Sequence, residues 1–97
     1  MAAAPYRLRI SDFIADTLRG LHPDLKRKVR AALEALVHDP HSGKALRQEL
    51  AGLWSWRVGG FRIVYRMSAG RMVDIVAVGP RAVIYEETYR RVKRACR

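Results

Sequence analysis

Between Trp54 and Met67 the chain alternates side chains of opposite character on either side of two adjacent glycines, Gly59 and Gly60, and no other stretch restricts the fold as tightly. A period of two marks a half-buried strand, and two such runs joined by two glycines make a β-hairpin, because glycine reaches the positive φ of a two-residue turn without strain. A turn of that length also fixes register. Val58 faces Phe61, Arg57 faces Arg62, Trp56 faces Ile63, Ser55 faces Val64 and Trp54 faces Tyr65. One face then carries Trp54, Trp56, Val58, Phe61, Ile63, Tyr65 and Met67, which is the side a core must cover. The other carries Leu53, Ser55, Arg57, Arg62, Val64 and Arg66.

That second face contains a conflict, because like charges directly opposite each other destabilise a sheet and Arg57 lies across from Arg62. An anion held between the two guanidinium groups turns the repulsion into binding, so this open face reads as a phosphate-binding surface. For any single arginine the competing reading is a solvated side chain split from its neighbour by an acid such as Asp74 or Glu49. The next turn, Ser68-Ala69-Gly70, leads into a strand over residues 71–78. A three-residue loop with Gly70 left-handed puts Val73, Ile75 and Ala77 in the core and Asp74 on the basic face near Arg66.

Upstream of the hairpin the period is that of a helix. Residues 6–10 read as a short strand; Ser11 then caps a helix in which Ile14, Leu18 and Leu21 share one side. Pro23 opens a second helix running to about residue 37, with Leu25, Val29, Leu33 and Leu36 on its apolar side and Lys26, Arg27, Lys28 and Arg30 opposite. Asp39-Pro40 stops it, residues 41–52 form a connector, and residues 84–94 read as a final helix. The order β-α-α-β-β-β-α over residues 1–97 is that of one α+β domain, two N-terminal helices packed on one face of a small antiparallel sheet.

Charge narrows the partner. The 97 residues carry 19 Lys+Arg against 9 Asp+Glu, a net charge of +10, yet 49% of them are hydrophobic, so the cations decorate a packed core rather than a disordered tail. Residues 1–56 hold +3 of that charge and residues 57–97 hold +7, and 15 of the 19 cations are arginine, the side chain suited to bidentate phosphate contacts. A nucleic-acid backbone ranks first among anionic partners, an acidic protein segment second and a membrane surface a distant third. The single cysteine, Cys96, rules out an internal disulfide and fits a reducing cytoplasm. No run reaches the ~18 apolar residues of a membrane span. His22, His38 and His41 lack the partners of a zinc site and read as solvated side chains at helix ends, so neither a metal nor a cofactor is expected.

Two amphipathic helices followed by Leu-Arg-Gln-Glu-Leu-Ala-Gly-Leu-Trp-Ser-Trp-Arg-Val-Gly-Gly-Phe-Arg-Ile-Val-Tyr-Arg over residues 46–66, then Val-Gly-Pro-Arg-Ala-Val-Ile-Tyr over residues 78–85, make the chain similar to the RelE/ParE superfamily of bacterial type II toxins. The resemblance spans residues 6 to about 90. An arginine after Val-Gly, followed four residues later by tyrosine, resembles the RelE branch, whereas the gyrase-poisoning ParE branch generally lacks that pair. RelE-like toxins are ribosome-dependent endoribonucleases that cut mRNA in the ribosomal A site, and the resemblance implies the same fold and activity here. It implies catalytic roles for Arg57, Arg62, Arg81 and Tyr85. Ser55 departs from the pattern, since many relatives have a lysine or arginine there. One phosphate contact is then missing, which leaves either a weaker activity or a gap filled by Lys44 or Arg47; these two with Arg66 make up the expected RNA-binding set.

The chemistry needs no metal. The RNA 2′-hydroxyl attacks the adjacent phosphorus, leaving a 2′,3′-cyclic phosphate, and the protein has only to remove a proton, align the sugar and stabilise charge. Phenols are poor bases near neutrality, so a tyrosine in that role needs a neighbouring cation, Arg81 or Arg57. No histidine lies in the strand region to act as leaving-group acid; a ribosomal group, A-site geometry and an arginine all stay open. Three functions remain: an mRNA endoribonuclease acting with mRNA and ribosomal RNA, a gyrase inhibitor without nuclease activity, or a degenerate toxin that only binds its antitoxin. In each case the expected protein partner is a cognate antitoxin with an acidic segment that folds over the arginines.

Overall fold

The computed structural model describes residues 5–80, 84–85 and 88–90. In chain order the elements are β1 (Arg7–Ile10), α1 (Asp12–Arg19), α2 (Pro23–His38), β2 (Lys44–Ala45), β3 (Trp54–Val58), β4 (Phe61–Ser68) and β5 (Met72–Pro80), with single 3₁₀ turns at Pro40–Ser42 and Gln48–Leu50. The helix boundaries follow from caps. The Ser11 hydroxyl accepts the Ile14 amide at 3.2 Å, Pro23 occupies the first turn of α2, and the Asp39 amide closes α2 on the carbonyls of Ala35 and Leu36. His22 and His38 sit at the two ends of α2; His41 instead packs edge-on against Trp54, with ring centroids 5.5 Å apart.

The α+β architecture is the expected one, and the sheet is richer than the sequence pattern implied. Its order is β1-β5-β4-β3-β2, antiparallel except that β1 runs parallel to β5. All five β3–β4 pairs fall in the expected register, including Arg57 opposite Arg62, and Gly59 takes the left-handed φ of 58° that its turn requires. The loop into β5 has three residues between the paired Ser68 and Met72, with Gly70 left-handed at φ 78°. Arg71 is also left-handed, at φ 55°, and its guanidinium lies over the Tyr6 ring, 4.3 Å from the centroid.

A β-bulge at Val76 changes the outcome for the second half of β5. Tyr65 pairs with Ile75 but Val64 pairs with Ala77, so Val76 is an extra residue and the facing of everything after it inverts. Val73, Ile75 and Val78 therefore join Ile14, Val29, Leu33, Leu36, Val58, Ile63 and Tyr65 in the core beneath the helices. Ala77, expected in that core, is buried on the opposite face with Leu53, Val64 and Ile84. The second face is thus not open throughout: its centre is a small apolar cluster covered by residues 84 and 85.

One end of that face is closed electrostatically. Asp74, 7% exposed, pairs across the sheet with Arg66 on β4 and Arg9 on β1, and is ion-paired to both. The hydrogen bond from Arg9 holds its carboxyl below the ordinary value of 3.8, assisted by Ser68 and by the charge of Arg66. A carboxyl depressed by folding contributes stability that is complete above its unfolded pKa and disappears as the pH falls through the lower folded one. Thermal denaturation of the wild-type chain is therefore expected to lose stability on acidification below about pH 4. Asp74→Asn should melt lower at neutral pH and show a flatter acid limb, measured by circular dichroism between pH 7 and pH 2.

Candidate functional site

Arg57 and Arg62 do not meet on a flat surface. With Lys44, Ser42, Gly43, Ser55 and Trp56 they line a shallow cleft of about 290 Å³ at the hairpin end of the sheet. The cleft exists because β2 adds a two-residue edge strand to β3, pairing Lys44 with Ser55. Cross-strand partners point to the same face, so Lys44, Ser55, Val64 and Ala77 form one row and Arg57, Arg62 and Gly79 the next. Arg57 is exposed and Arg62 half-buried, and among the described residues neither has an acidic partner. Three cations thus converge on one small volume with no countercharge among the described residues, an arrangement that repels itself and favours a phosphate-like anion.

The other expected residues distribute unevenly. Tyr85 adjoins this cleft: half-buried, it is not one of the lining residues, but its hydroxyl lies 3.0 Å from the Oγ of Ser55, which is one. Lys44 flanks Ser55, where the resemblance left a missing cation, whereas exposed Arg47 lies on the connector and is not among the cleft residues. Arg66 points to the same face but sits four residues along β4 from Arg62, about 13 Å away, and is committed to Asp74. Arg81 falls outside the described residues. Among the described residues no three His, Cys, Asp or Glu side chains gather where they could hold a metal ion, and no helix is long and apolar enough to cross a membrane.

Two cleft features had almost no sequence signal. The Ser42-Gly43 wall is fixed from behind by Tyr65, a fully buried phenol that donates to the Pro40 carbonyl. Burial pushes its pKa up to about 12, so it remains a hydrogen-bond donor over the whole physiological range. Gly43 has no room for a side chain, since a Cβ there would collide with the Tyr65 hydroxyl and come within 2.9 Å of the Ser55 carbonyl. Only a lone glycine in an irregular connector marked this wall. The seat of Tyr85 on Ser55 joins residues thirty positions apart and had no local signature.

Three comparisons bear on the fold and the site. Residues 3–85 match the family described as the ParE toxin of the parDE type II toxin-antitoxin system. The chain is 33% identical over 84 residues to Toxin RelE of Mycobacterium tuberculosis, covering 84% of this chain and 87% of that protein. Among solved structures it is similar to a chain of the M. tuberculosis toxin-antitoxin complex RelBE2, at 34% identity and a TM-score of 0.71, covering 80% of this chain and 100% of that one. A mutant of E. coli toxin RelE in the free state shares the fold at a TM-score of 0.72 and 20% identity, covering 95% of this chain and 98% of that one.

The cleft wall and the arginine pair make opposite demands on stability. Tyr65→Phe should cost about 1–3 kcal/mol by stranding the buried Pro40 carbonyl. Gly43→Ala should be destabilising too, but less so in the Tyr65→Phe background, where the colliding hydroxyl is gone; urea denaturation of the two single variants and the double measures this. Arg57→Gln should instead raise the melting temperature by a few degrees at low ionic strength, and added sulfate should narrow its advantage over wild type.

Proposed function

The chain belongs to the RelE/ParE superfamily of type II toxins, and from that premise we propose that it is a ribosome-dependent mRNA endoribonuclease working through the cleft of Lys44, Arg57 and Arg62 beside Tyr85. The observation that carries this reading is the convergence on a single cleft of three cations with no acidic partner among the described residues, with a phenol oxygen bonded to the Ser55 that lines it. A membrane-binding or purely soluble basic protein has no reason to oppose two arginines at one register position with no acid beside them among the described residues.

In this reading Arg57 and Arg62 bracket the scissile phosphate, stabilising the charge that builds on its oxygens as the 2′-oxygen attacks. Lys44 takes the neighbouring phosphate as a point charge, the contact that Ser55 does not make. Tyr85 faces the attacking sugar and receives the 2′-proton, and Arg81 is the further cation that the family resemblance assigns to this step. The P–O5′ bond breaks as the 2′-O–P bond forms, and the 5′-oxygen takes up a proton. The A site of the ribosome supplies the in-line geometry that a cleft this shallow does not impose by itself. Arg66, neutralised by Asp74, contributes to docking rather than to the reacting phosphate.

The M. tuberculosis RelBE2 structure is a toxin-antitoxin complex, which supports a cognate antitoxin for this chain. Its toxin-binding segment is acidic and orders on the arginine face, cancelling the self-repulsion and closing the cleft to RNA. Both activities belong to the cytoplasm, where ribosomes and antitoxin are met.

A brief pulse of expression followed by mapping of new 5′ ends tests the reading. Translated messages should be cut within codons while untranslated RNA stays intact, and Arg57→Ala with Arg62→Ala should lower cutting by at least about a hundredfold while leaving the fold unchanged. Intact messages accompanied by a DNA-damage response would overturn it in favour of gyrase as the target.

A further inference from the structure

Ser55 occupies a position that a free hydroxyl does not tolerate. It is 1% exposed and stands beside an apolar patch of Leu53, Val64, Ala77 and Ile84. A hydroxyl buried in such surroundings is stable only when hydrogen-bonded, and the bond it makes is to the Tyr85 hydroxyl at 3.0 Å. With its Oγ engaged and its surface covered, Ser55 is not a shortened phosphate-binding residue.

Three features of the sheet bring the phenol to this point. The bulge at Val76 turns Ala77 and Gly79 onto the cleft face. Gly79, in the row of Arg57 and Arg62, carries no side chain, and Ile84 packs over it; a Cβ on residue 79 would lie 3.1 Å from Ile84 Cδ1. Ile84, fully buried against Leu53, Val64 and Ala77, then delivers the next residue, Tyr85, to Ser55 at the cleft floor.

We propose that Ser55 is a positioning residue for Tyr85: its hydroxyl, at the floor of the cleft lined by Lys44, Arg57 and Arg62, fixes the phenol oxygen against the arginine pair. The proposal rests on the reading of Tyr85 as the group that meets the RNA 2′-hydroxyl. Ser55 itself neither gains nor loses a proton. It holds one of the two hydrogen-bonding directions of the phenol oxygen, so that the other points into the cleft. Losing that hold leaves RNA binding to the cations but lets the phenol oxygen wander from its reacting position.

Single-turnover cleavage on mRNA-programmed ribosomes, with binding measured separately, tests this. Ser55→Ala should lower the maximal rate about tenfold without changing the affinity for the ribosome. In a Tyr85→Phe background the same substitution should cost nothing further, because the group it positions is gone. Gly79→Ala, which crowds Ile84 and never touches the hydroxyls, should reproduce the rate loss and its disappearance in Tyr85→Phe, so the test does not depend on one variant. Additive losses, or a loss of affinity in place of rate, would overturn the proposal. A Tyr85→Phe chain with full activity would show instead that the reading of Tyr85 is wrong, and the positioning role would fall with it.

Discussion

A two-residue glycine turn leaves an antiparallel pair one register, and in this chain that register sets Arg57 against Arg62. Everything at the cleft follows from it. With the arginines opposed, the neighbouring row must be Ser55 with Val64, which β2 extends to Lys44 and β5 to Ala77. A slip of one residue would carry Trp56 and Ile63 to the cleft face and both arginines under the helices, where neither charge has a partner. The core of Ile63, Tyr65, Val58 and Leu36 therefore protects the cleft's geometry as much as it stabilises the chain. The electrostatic cost of the pair is small beside the cost of that slip.

The positive charge separates into two ends with different physics. At one end of the sheet Arg9 and Arg66 share Asp74, and their charges hold β1 to β5 and β4. At the other end Lys44, Arg57 and Arg62 have no acidic partner among the described residues. Acid sensitivity belongs to the first end, and the positive field left uncompensated among the described residues belongs to the second. Net charge alone would assign both to one undifferentiated basic surface. The same distinction separates Arg66 from the cleft despite its place on the same face.

What the sequence disclosed and what it hid divide along contact range. The hairpin register, the two amphipathic helices, the three-residue loop at Gly70 and the placing of Asp74 beside Arg66 all follow from period and turn chemistry within some twenty residues. Strand β1 was visible as a strand, but its parallel pairing with β5 joins Arg7 to Met72, a choice that no local pattern encodes. Strand β2 is two residues long, too short to show a period. The bulge at Val76 lies in an unbroken apolar run, Ile75 to Val78, where shifting register by one changes nothing in the hydrophobicity pattern. That is why Ala77 was expected beneath the helices and lies on the opposite face. Of the expected catalytic set, Arg57 and Arg62 line one cleft, Tyr85 is hydrogen-bonded to Ser55 at its edge, and Arg81 lies outside the described residues.

Ser55 shows how a departure from a family pattern can be a gain. A lysine or arginine in its place would add a cation to the cleft, but at a position 1% exposed that cation would have to shed its water and displace Tyr85. A serine asks only for one hydrogen bond, which the phenol supplies, and Lys44 brings a cation to the same row from the more exposed edge strand. Charge stays where solvent can share it, and the buried position holds a hydrogen bond instead. The cleft thereby keeps three cations while Ser55 and Tyr85 hold each other by a hydrogen bond whose geometry is set by packing rather than by salt-dependent attraction.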